Sequence, residues 1–429
     1  MSKKTLAMLW AFACLAQFGI GASAQTSTQQ LPTQLSTDTP TENRVSFTLN
    51  TGSFSFDNVG QSFISKTHTD NLTSLTTLSH DVLAKAVEDK PGFVKYGALG
   101  LHLIASIRLQ FGNAYVLHEY AHAEEGYHLG LKNTFVGKTD AKGNVARKNS
   151  YLGNLLTMSF GMAPWVVTNR RVGVTSDGNS PTVISYVESV GAGLNLNTFL
   201  AEQSFHNMLR SERPVTESIS YLTNKVFPII YFIADGKIGG DPSMYIEALS
   251  WLGPKLTKEQ VQKYNLATTI LSNGFISSVR SVPKYFSANQ TVALLKYDTT
   301  FGGRDTSIYW PEFSTYLNGT GVSVQGEVFA KISGYGLFGL ALEKNVLGKN
   351  EGMDITASFA TSLGKWHPEG SLTLNTQEGV FVTLGGDYTV NDRFSVTAKM
   401  YSSGKGTLRG DRLVPQDKHG GYVGVKVNF

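Results

Sequence analysis

A chain of 429 residues has room for two folded units. Its 37 lysines and arginines barely exceed its 33 aspartates and glutamates and form no concentrated basic run, which argues against a nucleic-acid partner. Charge is sparse (16 %), while glycine (44 residues) and aromatics (11 %) are abundant; this balance suits a membrane β-barrel, whose strands alternate polar and apolar residues.

Residues 1–24 read as a secretory signal peptide. Lys3 and Lys4 precede an apolar stretch from Leu6 to Ile20, and Ala22-Ser23-Ala24 forms an A-x-A cleavage site before Gln25. The single cysteine, Cys14, lies inside this segment, and Ala11-Phe12-Ala13 before it makes a poor lipobox. A mature chain lacking Cys14 has no thiol, so any zinc must be held by histidine and carboxylate. Residues 25–43, rich in Thr, Gln, Ser and Pro, read as a disordered leader. Over 44–69, Val45, Phe47, Leu49, Phe54 and Phe56 alternate as one or two strands around Gly52.

From 70 to 295 the pattern is helical. The expected helices span 71–88, 97–111, 113–129, 151–168, 198–210, 216–234, 243–252 and 258–272. Two hairpins interrupt them, at 134–148 about Lys142-Gly143-Asn144 and at 170–187 about Ser176-Asp177-Gly178-Asn179. The uncharged stretch 151–168 is long enough to suggest a transmembrane span, but Asn154, Gly161 and Pro164 favour a core or lumen helix.

From 296 to 429 the period becomes two. Val380, Val382, Leu384, Tyr388 and Val390 share one face, with Thr383, Asp387 and Thr389 on the other. Phe394, Val396, Ala398 and Met400 likewise oppose Ser395, Thr397, Lys399 and Tyr401. Residues 306–429 accommodate about eight strands of membrane-spanning length, or about ten with the N-terminal segment. The expected fold class is therefore α+β, a mainly helical domain followed by a C-terminal antiparallel β-barrel. The last strand places Val423, Val425, Val427 and Phe429 on one face. Over the last 125 or so residues the chain resembles bacterial outer-membrane β-barrel proteins, which end in such a strand with a terminal aromatic. That resemblance implies a Gram-negative outer membrane, the barrel-assembly machinery as a partner, and a helical domain in the periplasm or the barrel lumen.

The chemistry centres on His118-Glu119-Tyr120-Ala121-His122, on an expected helix with Asn113 as N-cap and Gly130 as its stop. Residues i and i+4 lie about 40° apart on a helix, so both imidazoles project from one face as two potential metal ligands. Glu119, about 100° round, is placed as a general base. The competing reading is a solvated helix face, since Glu124, Glu125 and His128 follow directly. Through those five residues the chain resembles the zincin metallopeptidases, which implies a single Zn²⁺ on His118 and His122, Glu119 as the catalytic base, and a peptide or protein substrate. A third ligand is needed. Glu202 is the first candidate, on a helix that Thr198 can cap, with His206 four residues on as its hydrogen-bonding partner. His128, ten residues after His118, and Glu188, beside Gly191-Ala192-Gly193, are the alternatives, and Glu125 on the same helix is a weaker one. Tyr127, Tyr186 and His206 are candidates for stabilising an oxyanion. The alternative function is a non-catalytic outer-membrane barrel (a channel, adhesin or assembly factor) in which HExxH is coincidental.

Overall fold

A computed structural model describes residues 46–55, 61–128, 137–139, 145–148, 151–160, 183–210, 213–235, 240–287, 290–349, 352–376, 379–403 and 419–428. The signal-peptide and leader readings, Gly130, Phe429 and most of the expected hairpin at 170–187 lie outside these residues.

Eight helices occupy the first part of the described chain: α1 (Gln61–Ala86), α2 (Gly92–His128), α3 (Tyr151–Phe160), α4 (Val183–Arg210), α5 (Thr216–Ala234), α6 (Asp241–Ser250), α7 (Lys258–Leu271) and α8 (Asn273–Ser281). A 3₁₀ turn, Val282–Phe286, closes the series. Local signals set several boundaries. Thr257 and Gln260 form a reciprocal capping box that starts α7. Pro242 in the first turn of α6 lacks only an N–H that would have no partner there. Strands β2 (Gly137–Thr139) and β3 (Val145–Lys148) pair antiparallel, as the glycine turn between them predicts.

Two expected helix starts are corrected. Asn113 does not cap a new helix, because α2 runs through it unbroken. Its amide instead donates to Thr69 (3.1 Å) and accepts from the Tyr151 hydroxyl (2.6 Å), so lateral partners satisfy it in mid-helix. Thr198 is likewise no cap, since α4 begins at Val183 and replaces the end of the hairpin expected over 170–187. Gly191 and Gly193 lie inside α4 as close-contact positions rather than as a flexible turn. A Cβ on Gly191 would sit 3.0 Å from the carbonyl oxygen of Leu317. Each helical glycine costs about 1 kcal/mol relative to alanine, tolerated where a neighbour needs the space. Among the described residues no helix is long and apolar enough to cross a membrane.

The remaining strands, with the N-terminal one, build a single antiparallel sheet. They are β1 (Ser46–Ser55), β4 (Lys296–Phe301), β5 (Arg304–Asn318), β6 (Gly321–Ile332), β7 (Gly336–Gly348), β8 (Met353–Ala360), β9 (Trp366–Asn375), β10 (Val380–Asn391), β11 (Phe394–Ser403) and β12 (His419–Asn428). The order is β1-β12-β11-β10-β9-β8-β7-β6-β5-β4, a ten-stranded meander in which β1 joins the far end by pairing Phe47 with Val427. The α+β organisation is thus the one the sequence pattern indicates. Eight strands lie between Arg304 and Asn428, joined by β4 and β1 at the two ends of the ladder.

The two faces of this sheet differ in exposure. Leu340 is 47 % exposed and Met400 55 %, and Phe338, Leu342, Ile355, Phe359, Leu372, Leu384 and Val396 are exposed on the same face. The opposite face buries polar groups, including Glu343 (2 %), Thr373 (0 %), Asp354 and Ser395. The helices pack mainly on β5, with α1 on β1. Asn195 of α4 pairs with both backbone groups of Leu317, donating to its oxygen (2.7 Å) and accepting from its nitrogen (2.8 Å). Lys225 of α5 meets the buried Glu312 carboxylate at 2.9 Å, and the Tyr245 hydroxyl of α6 donates to the Asn318 carbonyl at 2.8 Å. These contacts fix α4 between the sheet and α2, which is where the histidines lie.

Candidate metal centre

The α2–α4 contact is apolar around the site. Leu117 and Ala121 of α2 pack with Ala192, Leu196 and Leu200 of α4, excluding water from the histidines between them. His118 and His122 are buried, and their Nε2 atoms lie 3.1 Å apart. One carboxylate oxygen, Asp241 Oδ2, approaches both, at 2.9 Å from His118 Nε2 and 3.0 Å from His122 Nε2. His118, His122 and Asp241 form a group that could hold a metal ion.

The hydrogen bonds behind the ring atoms decide what this triangle is. His122 Nδ1 lies 2.7 Å from the Ser189 carbonyl oxygen, which can only accept, so Nδ1 donates. His118 Nδ1 lies 3.0 Å from Asn197 Oδ1. The Asn197 amide nitrogen already donates to the Ala114 carbonyl (3.0 Å) and Asn224 Oδ1 (3.3 Å), so its oxygen must face the imidazole. Both histidines therefore carry their ring proton on Nδ1 when neutral, and both Nε2 lone pairs point toward Asp241. Three electron-pair donors at such short range repel unless a proton or a cation lies among them. Tetrahedral zinc holds its nitrogen and oxygen ligands about 3.3 Å from one another, so the triangle needs to open by only a few tenths of an ångström. The donor set, two imidazoles and a carboxylate with no thiolate, is a common catalytic-zinc set.

Three further features shape the centre. Ser189, Gly193 and Asn197 recur every four residues, on the face of α4 that meets α2. A Cβ on Gly193 would come within 2.6 Å of Nε2 of both histidines, so this position admits only glycine. Asp235, just past α5, accepts from the Gly240 nitrogen (2.5 Å) and the Ser243 nitrogen (2.8 Å). It thereby anchors the start of α6, where Asp241 sits. The Tyr231 hydroxyl donates to Asp241 Oδ2 at 3.1 Å, and its ring meets His118 edge-on.

Electrostatics follow this geometry. Burial pushes the Asp241 carboxyl up, but His122 and His118 outweigh it and hold it well below the usual range, so it is an anion ready to ligate. Glu119 is buried beside the pair, and Tyr115, one turn earlier on α2, hydrogen-bonds to it. Burial first and the Glu119 charge second raise the Tyr115 phenol, while burial and Asp241 raise that of Tyr231. Both phenols thus stay protonated as donors.

The other expected site residues fall elsewhere. Glu202 is nine residues beyond Gly193 on α4, which places it about 14 Å along the axis and about 180° round the helix. It meets Gln325 of β6 at 3.3 Å, on the sheet side. Burial and the nearby Glu327 raise its carboxyl to about 8. His206 pairs with Glu327 at 3.0 Å and not with Glu202. Glu188 lies against Gly319 at the β5–β6 turn, where a Cβ would come within 2.7 Å of its Oε1. His128 ends α2, with its side chain, like that of Tyr127, outside the described residues; Tyr186 stacks on Trp251. Asp241 and Tyr231 had no sequence signal of their own: Asp241 is 119 residues from His122. The Gly239-Gly240-Asp241-Pro242 run marks a helix start, not a ligand.

No protein-family model matches the chain, and comparison with curated proteins and with solved structures found no match.

Proposed function

We propose that the chain is a zinc-dependent hydrolase, most simply a peptidase, whose helical unit sits on the polar face of an outer-membrane β-barrel. The observation that carries the catalytic part is the convergence of His118, His122 and Asp241 with both Nδ1 protons committed behind them. His118, His122 and Asp241 would hold the ion, and Asn197 and Ser189 orient the rings. Zinc, when bound, supplies Lewis acidity and lets water act as a nucleophile near neutral pH. Glu119 takes the proton of the attacking water and returns it to the leaving nitrogen, with the Tyr115 hydroxyl steering its carboxylate. The membrane part is supported by the sheet, because an apolar outer face with a polar inner face suits lipid outside and a polar interior within.

A second reading, metal capture without turnover, is favoured by the burial of both histidines and by the engagement of Glu119 with Tyr115. The two are separated by assaying protein and peptide hydrolysis together with metal content in Glu119→Gln. Hydrolysis lost with metal retained supports the hydrolase. Wild-type protein that holds zinc yet cleaves no member of a broad peptide library supports capture.

A further inference from the structure

We propose that the cavity between the helical unit and the polar face of the sheet binds a small oxyanion, a phosphate or carboxylate ligand. The cavity has a volume of about 600 Å³, within the range of small-molecule sites. Its walls come from α1, the end of α4, the start of α5, and strands β6 to β12. Arg210 lies 17 residues past Gly193 on α4, about 25 Å from the metal centre along the helix. The two sites are therefore separate, and this proposal does not depend on the hydrolase reading.

The charges in the walls do not balance. Six lysine and arginine side chains face four carboxylates. Asp70 is engaged by Lys66, and Glu369 by both Arg210 (2.6 Å) and Lys399 (3.0 Å). The Asp387 carboxylate accepts from Thr397 (2.5 Å), and Glu217 from Asn207 (3.4 Å). Arg213, Lys331 and Lys426 remain. Glu217 attracts Arg213, and Asp387 attracts Lys426, but among the described residues neither pair is in contact. Arg213 and Lys426 instead repel one another as like charges. Arg213 Nε is buried with no hydrogen-bond partner, although the guanidinium is built to donate in a fork.

A buried donor without a partner and cations lining one cavity without a carboxylate contact both destabilise a structure. A ligand oxyanion resolves both, taking the Arg213 fork and the Lys426 ammonium together, which is how arginine recognises phosphate and carboxylate. Ser362, Thr389 and Ser395 in the same walls offer hydroxyls to the rest of a polar ligand.

The test is calorimetric titration of the folded full chain at low ionic strength, with inorganic phosphate in one series and succinate in another. Saturable binding of at least one anion is expected in the millimolar range or tighter. Arg213→Gln and Lys426→Gln should each weaken it tenfold or more, and His118→Ala should leave it unchanged. The tighter of the two anions tells phosphate ligands from carboxylate ligands. Saturating anion should also protect Arg213 from phenylglyoxal, a readout by mass spectrometry that needs no variant. Failure of both anions to saturate, equal affinity in the glutamine variants, loss of binding in His118→Ala, or unprotected modification of Arg213 would each overturn the proposal.

Discussion

The helical unit and the sheet place the same kinds of side chain in opposite surroundings. In the helices, leucine and alanine are sealed between α2 and α4, and the polar histidines are enclosed with them at fixed hydrogen bonds. In the sheet, Phe338, Leu340, Phe359, Leu372 and Leu384 face outward while Glu343, Asp354 and Thr373 are buried alongside Phe329 and Phe381. Hydrophobic burial organises the first in the ordinary way. The second buries polar contacts on one face and leaves an extended apolar band on the other, the arrangement on which the membrane proposal rests. The lesson is that burial alone does not mark a core; the chemistry of the buried face tells which medium each half is built for.

The comparison has consequences that differ in size. The largest is at the site: Glu119→Gln keeps side-chain volume but removes proton acceptance, so turnover should fall by about 10²–10⁴-fold with zinc retained. Unchanged turnover would remove Glu119 from the chemistry. Next, Leu340→Arg should cost about 2–4 kcal/mol in lipid vesicles, measured by denaturant unfolding, if the outer face meets the bilayer. Leu196→Ala, in the helical core, should cost about 2–5 kcal/mol in any solvent. A Leu340→Arg protein as stable in vesicles as the wild type would mean that the sheet faces water.

Gly193→Ala sharpens the contrast within α4. On an exposed helix this change stabilises by up to about 1 kcal/mol, but here the methyl would enter the space of both imidazoles. Metal occupancy by elemental analysis should fall severalfold while circular dichroism keeps the helix content. The smallest effect is a pH slope. Glu202 faces Glu327 from β6, Ser314 and Tyr316 from β5, and Lys225 from α5, and its carboxyl is raised to about 8 from 4.5. Between these values the folded state binds more protons than the unfolded one, so Glu202 lowers stability as pH rises. Glu202→Gln should flatten that part of the unfolding profile; an identical slope in both proteins would mean that Glu202 titrates normally.

The sheet was the more legible half. Period-two alternation depends on neighbours in sequence, so strands from 306 onward, their facing residues and the position of the N-terminal strand could be anticipated. Helices α5, α6 and α7 were legible for the same reason, and the expected spans 216–234, 243–252 and 258–272 lie close to the observed ones. What sequence did not reveal was set by tertiary contact. Asn113 and Thr198 carry the side chains of helix caps, but Asn113 is satisfied by Thr69 of α1 and Tyr151 of α3, and Thr198 by the Leu194 carbonyl of its own helix, so both lie inside longer helices. His118 and His122 were legible because one helical spacing defines both. The third ligand was not, because Asp241 reaches them only through the packing of α6 against α4, and Glu202, credible by residue type, is turned to the opposite side of α4.

The most direct test of the metal centre is zinc content per folded chain in wild type, Asp241→Ala and Glu202→Ala after reconstitution with zinc. About one zinc in the wild type and in Glu202→Ala, with loss in Asp241→Ala, is the predicted result. Wild-type protein that takes up no zinc, or an Asp241→Ala variant that holds as much as the wild type, would contradict the assignment.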